Sequence, residues 1–103
     1  MEIGIPIDRD RIAEYCRKWK ITEFALFGSV LRPDFGPESD VDVLVTFDRE
    51  AHWTLFDLVH MEDELAQLLG RKVDLVSRRG IESSANYIRR KAILSSAEVI
   101  HAA

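Results

Sequence analysis

Two aspartates stand two apart in the string Asp40-Val41-Asp42. On an extended strand, residues i and i+2 share a face, with their Cα atoms roughly 7 Å apart. The two side chains can converge on one metal ion or bracket a pair of ions about 3.5–4 Å apart. Carboxylate oxygens suit Mg²⁺, which takes one or two carboxylates plus substrate phosphates rather than an all-protein cage. A third carboxylate, Asp74, interrupts the apolar run Val73-Asp74-Leu75-Val76. If that run is a strand beside the first, Asp74 joins the pair. Chemistry at a phosphate needs such a group, because something must also take the proton from an attacking hydroxyl.

Gly28-Ser29 supplies the complementary half. Gly28 lacks a side chain, so a phosphate can approach its backbone closely. Ser29 is expected to cap a short helix running to about Arg32, where free N–H groups favour an anion. Arg32 could reach the same phosphates with its forked guanidinium. An anion cradle facing metal-binding carboxylates is what in-line displacement at a nucleoside triphosphate requires: metals activate the attacking oxygen and neutralise the pyrophosphate leaving group. The other phosphate-binding patterns, G-x-x-x-x-G-K-[ST] and G-x-G-x-x-G, are absent from the sequence.

The elements that must position these residues alternate between helix and strand. Asp8 is expected to cap a helix to about Lys20, with Ile12, Tyr15, Cys16 and Trp19 on one apolar stripe. Phe24 to Phe27 is a short, wholly apolar run that reads as a buried central strand ending at Gly28. Arg32 to Ser39 carries Pro33, Gly36 and Pro37 and reads as loop. In Val41 to Phe47, the residues Val41, Val43, Val45 and Phe47 alternate onto one face, leaving Asp40, Asp42, Leu44 and Thr46 on the other. A helix is predicted from roughly His52 to Leu69, with Leu55, Leu58, Leu65 and Leu68 inward and Gly70 as its C-cap. Lys72 to Val76 reads as a strand. A helix around Ser83 to Leu94 should bury Ile81, Ala85, Ile88 and Ala92, and Ala97 to His101 reads as a final short strand. The expected architecture is a small α/β (α+β) domain, with a mixed sheet of three to four strands packed by helices.

At 103 residues the chain fits a single domain, 1–103, with little room for a second module. The N-terminus reads as lacking a secretion signal, and no apolar run approaches the ~20 residues of a membrane span. The single cysteine fits a reducing, cytoplasmic setting. A net charge of −4 weighs against a dedicated nucleic-acid-binding domain. It leaves a nucleotide substrate open, since divalent metals can supply positive charge locally.

The spaced string Gly28-Ser29, ten residues, then Asp40-Val41-Asp42 resembles the signature of the DNA polymerase β-type nucleotidyltransferase superfamily. The short chain and its Gly-Ser-x-x-Arg start look like the minimal nucleotidyltransferase (MNT) antitoxins of HEPN/MNT toxin–antitoxin pairs. The resemblance covers nearly the whole chain. It implies a nucleotidyltransferase fold, with Asp40, Asp42 and Asp74 binding two Mg²⁺ ions, Asp74 also serving as base, and Gly28, Ser29 and Arg32 holding the triphosphate of ATP. It implies transfer of AMP to a hydroxyl, a tyrosine of a cognate HEPN ribonuclease toxin, and a hetero-oligomer with that toxin. Larger relatives bring a second domain for the acceptor, so here the partner is expected to complete the site. One departure is Pro33, directly after Arg32, where many relatives carry glycine.

Plainer readings stand beside these. Asp40 and Asp42 could line the solvent face of an edge strand, and Gly28-Ser29 could be only a turn. Arg32 could pair with Asp34 or Glu38 at the surface. Arg78 and Arg79 could approach the nucleotide or lie in a solvated turn. Trp53 could stack on a base or anchor the start of a helix. The run Arg89-Arg90-Lys91 with Tyr87 could form a docking edge or a solvated helix face. Cys16 reads as core, and the three histidines share no zinc-like spacing. Two rival functions follow: a non-catalytic antitoxin that masks its toxin by binding, and an aminoglycoside-type nucleotidyltransferase acting on a small molecule.

Overall fold

The computed structural model describes residues 5, 7–32, 36 and 39–103. Pro33 and the Asp34 and Glu38 partners suggested for Arg32 lie outside these residues. In chain order the elements are α1 (Arg9–Lys18), β1 (Ile21–Phe27), a 3₁₀ turn (Gly28–Leu31), β2 (Val41–Phe47), α2 (Leu55–Leu69), β3 (Val73–Ser77), α3 (Arg78–Glu82), α4 (Tyr87–Ser96) and β4 (Glu98–Ala102).

The four strands form one mixed sheet in the order β3-β2-β1-β4. β1 runs antiparallel to both β2 and β4, whereas β2 and β3 are parallel and joined through α2. The interior place of β1 explains its unbroken apolar run. Phe24 and Leu26 pack into one core with Val41, Val43 and Val45 of β2, Ile12, Tyr15 and Cys16 of α1, and Met61 and Leu65 of α2. Ala25 and Phe27 face the other way, into a smaller core with Leu44, Ile81 and Ile93. Both sheet faces are therefore covered, and alternation in β1 is between two buried faces. β2 also lies inside the sheet, which removes the edge-strand reading of Asp40 and Asp42.

Local signals set most boundaries. The Asp8 side chain accepts from the Arg11 N–H at the start of α1. α2 begins at Leu55, three residues later than expected, because Thr54 and Asp57 form a reciprocal capping box. Gly70 closes α2 in the left-handed conformation (φ +68°). The inward stripe of α2 is carried by Met61 and Leu65, flanked by half-buried Leu58 and Leu68. Leu55, at the first helical position, lies roughly 100° around the helix from Met61 and Leu65 and is 76% exposed. Trp53 anchors the entry to α2: its indole N–H donates to the Trp19 carbonyl (3.0 Å), and the two rings stack edge to face.

The helix expected over Ser83 to Leu94 begins four residues later, as α4 (Tyr87–Ser96), and a separate short helix, α3 (Arg78–Glu82), precedes it. The Ser83 hydroxyl donates back to the Arg79 and Gly80 carbonyls at the end of α3, and the Asn86 side chain caps α4 by accepting from Arg89 N–H. Short polar side chains that bond to nearby backbone end helices in this way. The break resets the phase. Ile81 and Ile93 are buried, whereas Ala85, Ile88 and Ala92 are exposed, Ile88 by 80%. Among the described residues no helix is long and apolar enough to cross a membrane.

Candidate active site

Three strand positions meet side by side at one end of the sheet. Phe27, the last residue of β1, is level with Asp42 of β2, and Asp42 is level with Asp74 of β3. The parallel β2–β3 register thus satisfies the condition on which Asp74 was expected to join the pair. Asp40 sits two residues before Asp42, just ahead of the strand and half-buried. Asp74 lies exposed on an edge strand.

Gly28 is required here for two separate reasons. Its φ of +73° is one that residues with a side chain rarely adopt. A Cβ at this position would also lie 2.2 Å from Oδ2 of Asp42. The glycine backbone is therefore in contact with the carboxylate, with no space for a methyl group between them. Ser29 follows inside the 3₁₀ turn and does not cap it: Phe27 holds the cap position and makes no side-chain capping bond. The turn begins at Gly28, in the positive-φ conformation, two residues earlier than a Ser29 cap would place it. The Ser29 hydroxyl instead donates to the Asp40 carbonyl (3.4 Å), tying the turn to the start of β2. Arg32 ends the turn, its N–H donating to the Ser29 carbonyl (3.0 Å), and is exposed.

Like charges crowd the middle carboxylate. Burial first, then Asp74 and then Asp40 push the Asp42 carboxyl above the ordinary carboxylate value. The Ser29 backbone N–H and, more weakly, Arg89 of α4 pull in the opposite direction. Among the described residues no three His, Cys, Asp or Glu side chains form a ready-made metal cluster. The donor set nonetheless fits Mg²⁺, which binds through one or two carboxylates and completes its shell with phosphate and water oxygens. The repulsion raised at Asp42 is what a bound cation would relieve.

Arg71, in this neighbourhood, carried no distinctive signal in the sequence, and Arg89 only as part of the run Arg89-Arg90-Lys91. Arg71 donates to the Gly36 and Ser39 carbonyls, the latter at 3.1 Å, and so pins the chain just before Asp40. Arg89 lies exposed on α4. Arg78, by contrast, is engaged with Glu23 and Glu82, and with Arg79 it borders a separate cleft of about 360 Å³ at the far end of β2 and β3. Cys16 is buried in the larger core, and burial pushes its thiol up to about 11.

Comparison with known proteins places the fold in a family. The Nucleotidyltransferase domain family model matches residues 9–98. The chain is 38% identical over 73 residues to MJ0128, a candidate protein adenylyltransferase of Methanocaldococcus jannaschii, covering 71% of this chain and 70% of that protein. It is 34% identical over 70 residues to the protein adenylyltransferase MntA of Thermococcus cleftensis, covering 68% and 69%. A solved structure of a candidate minimal nucleotidyltransferase superposes with a TM-score of 0.67 at 32% identity, covering 87% of this chain and 86% of that one. A structure of the tri-AMPylated Shewanella oneidensis HEPN toxin with its MNT antitoxin shares the fold, with a TM-score of 0.63 at 22% identity over 92% of this chain and 70% of that one. The alignments thus span roughly two thirds of the curated relatives' length. Matching over most of its residues, and carrying the motif at the strand ends where the chemistry requires it, the chain belongs to the nucleotidyltransferase domain family.

Proposed function

We propose that this protein transfers AMP from ATP, with Mg²⁺, to a hydroxyl group of a cognate HEPN ribonuclease toxin, and that this modification makes it the toxin's antitoxin. The observation that carries the reading is the row Gly28–Asp42–Asp74, in which a side-chain-free backbone touches one carboxylate and a second carboxylate stands level with it on the next strand. The relatives named protein adenylyltransferases and the fold shared with an MNT antitoxin support the reaction class and the partner.

Each residue has a task in that reaction. Asp40, Asp42 and Asp74 are the oxygen donors for two Mg²⁺ ions, which supply positive charge for the phosphates and the attacking oxygen. Gly28, without a side chain, lets the triphosphate approach its backbone closely, Ser29 follows in the same turn with its N–H on the Asp42 carboxylate, and Arg32 adds a guanidinium at the end of that turn. Asp74 is exposed on the edge strand β3, so an acceptor on another protein can approach it without displacing the sheet. Asp74 takes the proton of the acceptor hydroxyl, taken here as a tyrosine. That oxygen forms a bond to the α-phosphorus, the bond to the β-phosphate bridging oxygen breaks, and pyrophosphate leaves with the electron pair.

The test uses the protein with labelled ATP, Mg²⁺ and the HEPN protein encoded beside it. Label should appear on the partner, with wild type exceeding Asp42→Asn by at least 100-fold. Absence of label, or equal labelling by Asp42→Asn, overturns the proposal. Neutralisation of the toxin by the unlabelled variant would favour masking by binding. Labelling of a small hydroxylated or amino acceptor in place of the partner would favour a small-molecule enzyme.

A further inference from the structure

The two ends of the β2–β3 pair are built differently. Asp42 and Asp74 stand level near the start of the two strands. At the other end the chain leaves β2 and β3 toward opposite faces of the sheet. β2 passes to α2, whose Met61 and Leu65 pack on the face of Val41, Val43 and Val45. β3 passes directly into α3, whose Ile81 packs on the face of Leu44. Adjacent parallel strands whose connections part in this way leave a crevice beyond their carboxyl ends, where open sheets commonly hold ligands. The cleft of about 360 Å³ occupies that place, between the segment after β2 and helix α3. Small-molecule sites run from roughly 300 to 1,000 Å³. Thr46 is four residues past Asp42, so the cleft begins roughly 13 Å along β2 from the carboxylate row. One phosphate group cannot serve both places.

Three guanidinium groups border the cleft, and two of them are uncommitted. Arg78 is held by Glu23 (3.3 Å) and by Glu82 (3.7 Å). The Asp48 carboxylate accepts from the Glu50 N–H (2.9 Å). Both acidic groups of the lining, Asp48 and Glu82, are thus already engaged. Arg49, after β2, and Arg79, on α3, make no side-chain hydrogen bond or ion pair among the described residues. They belong to the two opposed walls. Two hydroxyls at the strand ends join them. Ser77 accepts from the Gly80 N–H (3.1 Å) and keeps its own proton to donate, and the Thr46 hydroxyl is unpartnered among the described residues. Phe47 and Ala51, both half-buried, add apolar surface.

We propose that this cleft binds a small phosphate monoester, with its phosphate between Arg49 and Arg79 and its organic part against Phe47 and Ala51. Two uncommitted guanidinium groups match a phosphate monoester, which carries about −1.5 to −2 charge at neutral pH, better than they match a singly charged carboxylate. Their forks also pair with phosphate oxygens two at a time. The cleft is separate from the carboxylate row, so this inference does not depend on the transfer reaction.

Amide chemical shifts of the isotopically labelled protein test this, with phenyl phosphate, inorganic phosphate and benzoate as probes and no divalent metal present. Phenyl phosphate should shift Thr46, Asp48, Ser77 and Gly80 saturably at millimolar concentration and leave Gly28 and Ser29 in place. Arg49→Ala and Arg79→Ala should each weaken its binding by about 10-fold. Both side chains are exposed, and an unchanged spectrum outside the cleft verifies the fold. Lys91→Ala, equally exposed on α4, should match wild type. Benzoate should bind at least about fivefold more weakly, for want of the second charge. Inorganic phosphate should bind at least about threefold more weakly, for want of the apolar contact. The absence of a saturable shift would overturn the proposal, as would shifts centred on Gly28 and Ser29. An equal loss in Lys91→Ala would reduce the effect to general positive charge and overturn it too. Benzoate binding as tightly as phenyl phosphate would refute the phosphate class, and inorganic phosphate binding as tightly would refute the organic part.

Discussion

The two helix layers packed on this sheet differ in what they bury. Under α1 and α2 the core is deep: Ile12, Phe24, Leu26, Val43, Met61 and Leu65 are all wholly excluded from solvent. The Tyr15 hydroxyl, taken inside with them, donates to the Met61 carbonyl (2.9 Å). Under α3 and α4 only Ile81 and Ile93 reach the sheet as buried side chains, while Tyr87 and Ile88 stay 59% and 80% exposed. The contrast assigns different work to the two layers. One holds the fold together, and the other leaves Asp42, at the end of its own face, open to charge and to ligand.

If that division is right, substitutions in the deep layer should dominate stability. Phe24→Ala should cost about 3–5 kcal/mol, the usual range for an aromatic side chain deleted from a packed core. Ile88→Ala, on the outer side of α4, should stay within about 0.5 kcal/mol. Denaturant unfolding measures both. Comparable losses at the two positions would mean that the thin layer is as structural as the thick one.

Gly28 lies where the layers meet and should give an intermediate effect. Alanine there faces both an unfavourable φ and an overlap with the Asp42 carboxylate. The expected cost is about 1–3 kcal/mol, with a larger effect on chemistry because Asp42 must move to make room. A displacement of even an ångström at a reacting centre can cost on the order of 100-fold in rate. Steady-state labelling of the partner alongside thermal unfolding would separate the two. A fully active Gly28→Ala protein would show that the close approach of backbone and carboxylate is not needed.

How much of this could be read from the sequence follows from how local each cause is. The valine alternation over Val41–Phe47 needed only a period of two, and its limits agree with the strand. Gly70 and Asp8 were legible as caps because capping acts within one turn. The site residues Asp40, Asp42 and Gly28 were legible from spacing, but the adjacency of Asp42 and Asp74 was only conditional, because strand order is set by the α2 crossover. Ser29 was misassigned as a cap because the turn begins at Gly28, in the positive-φ conformation, with the cap at Phe27, two residues earlier than expected. The break between α3 and α4 was hidden among serines and an asparagine that are compatible with either a helix or its end. Arg71 looks like any exposed arginine in a sequence, and Arg89 was read only as part of the run Arg89-Arg90-Lys91, a docking edge or a solvated helix face. Only folding brings Arg71 to the carbonyls before Asp40.

The smallest expected change in stability concerns the opening itself, and its sign is informative. Asp42 has a folded pKa raised above its ordinary value of 3.8, so the folded state holds its proton more tightly than the unfolded chain does. The stability associated with that proton is fully present below the unfolded value. It is lost as pH rises through the elevated folded value, and at neutral pH the protein bears the full repulsion from Asp74 and Asp40. Asp42→Asn keeps an acceptor oxygen for the Ser29 N–H but removes the charge. It should therefore melt at or slightly above the wild-type temperature at neutral pH, with the advantage shrinking toward pH 4, while its transfer activity is expected to fall. Mg²⁺ should narrow the neutral-pH gap by stabilising wild type more than the variant, since a ligand that prefers the folded state raises its stability. Thermal scans from pH 4 to 7, with and without Mg²⁺, measure both trends. A variant that melts well below wild type at pH 7 would mean that Asp42 is held by a favourable partner, and the carboxylate row would then be structural in the way the deep layer is.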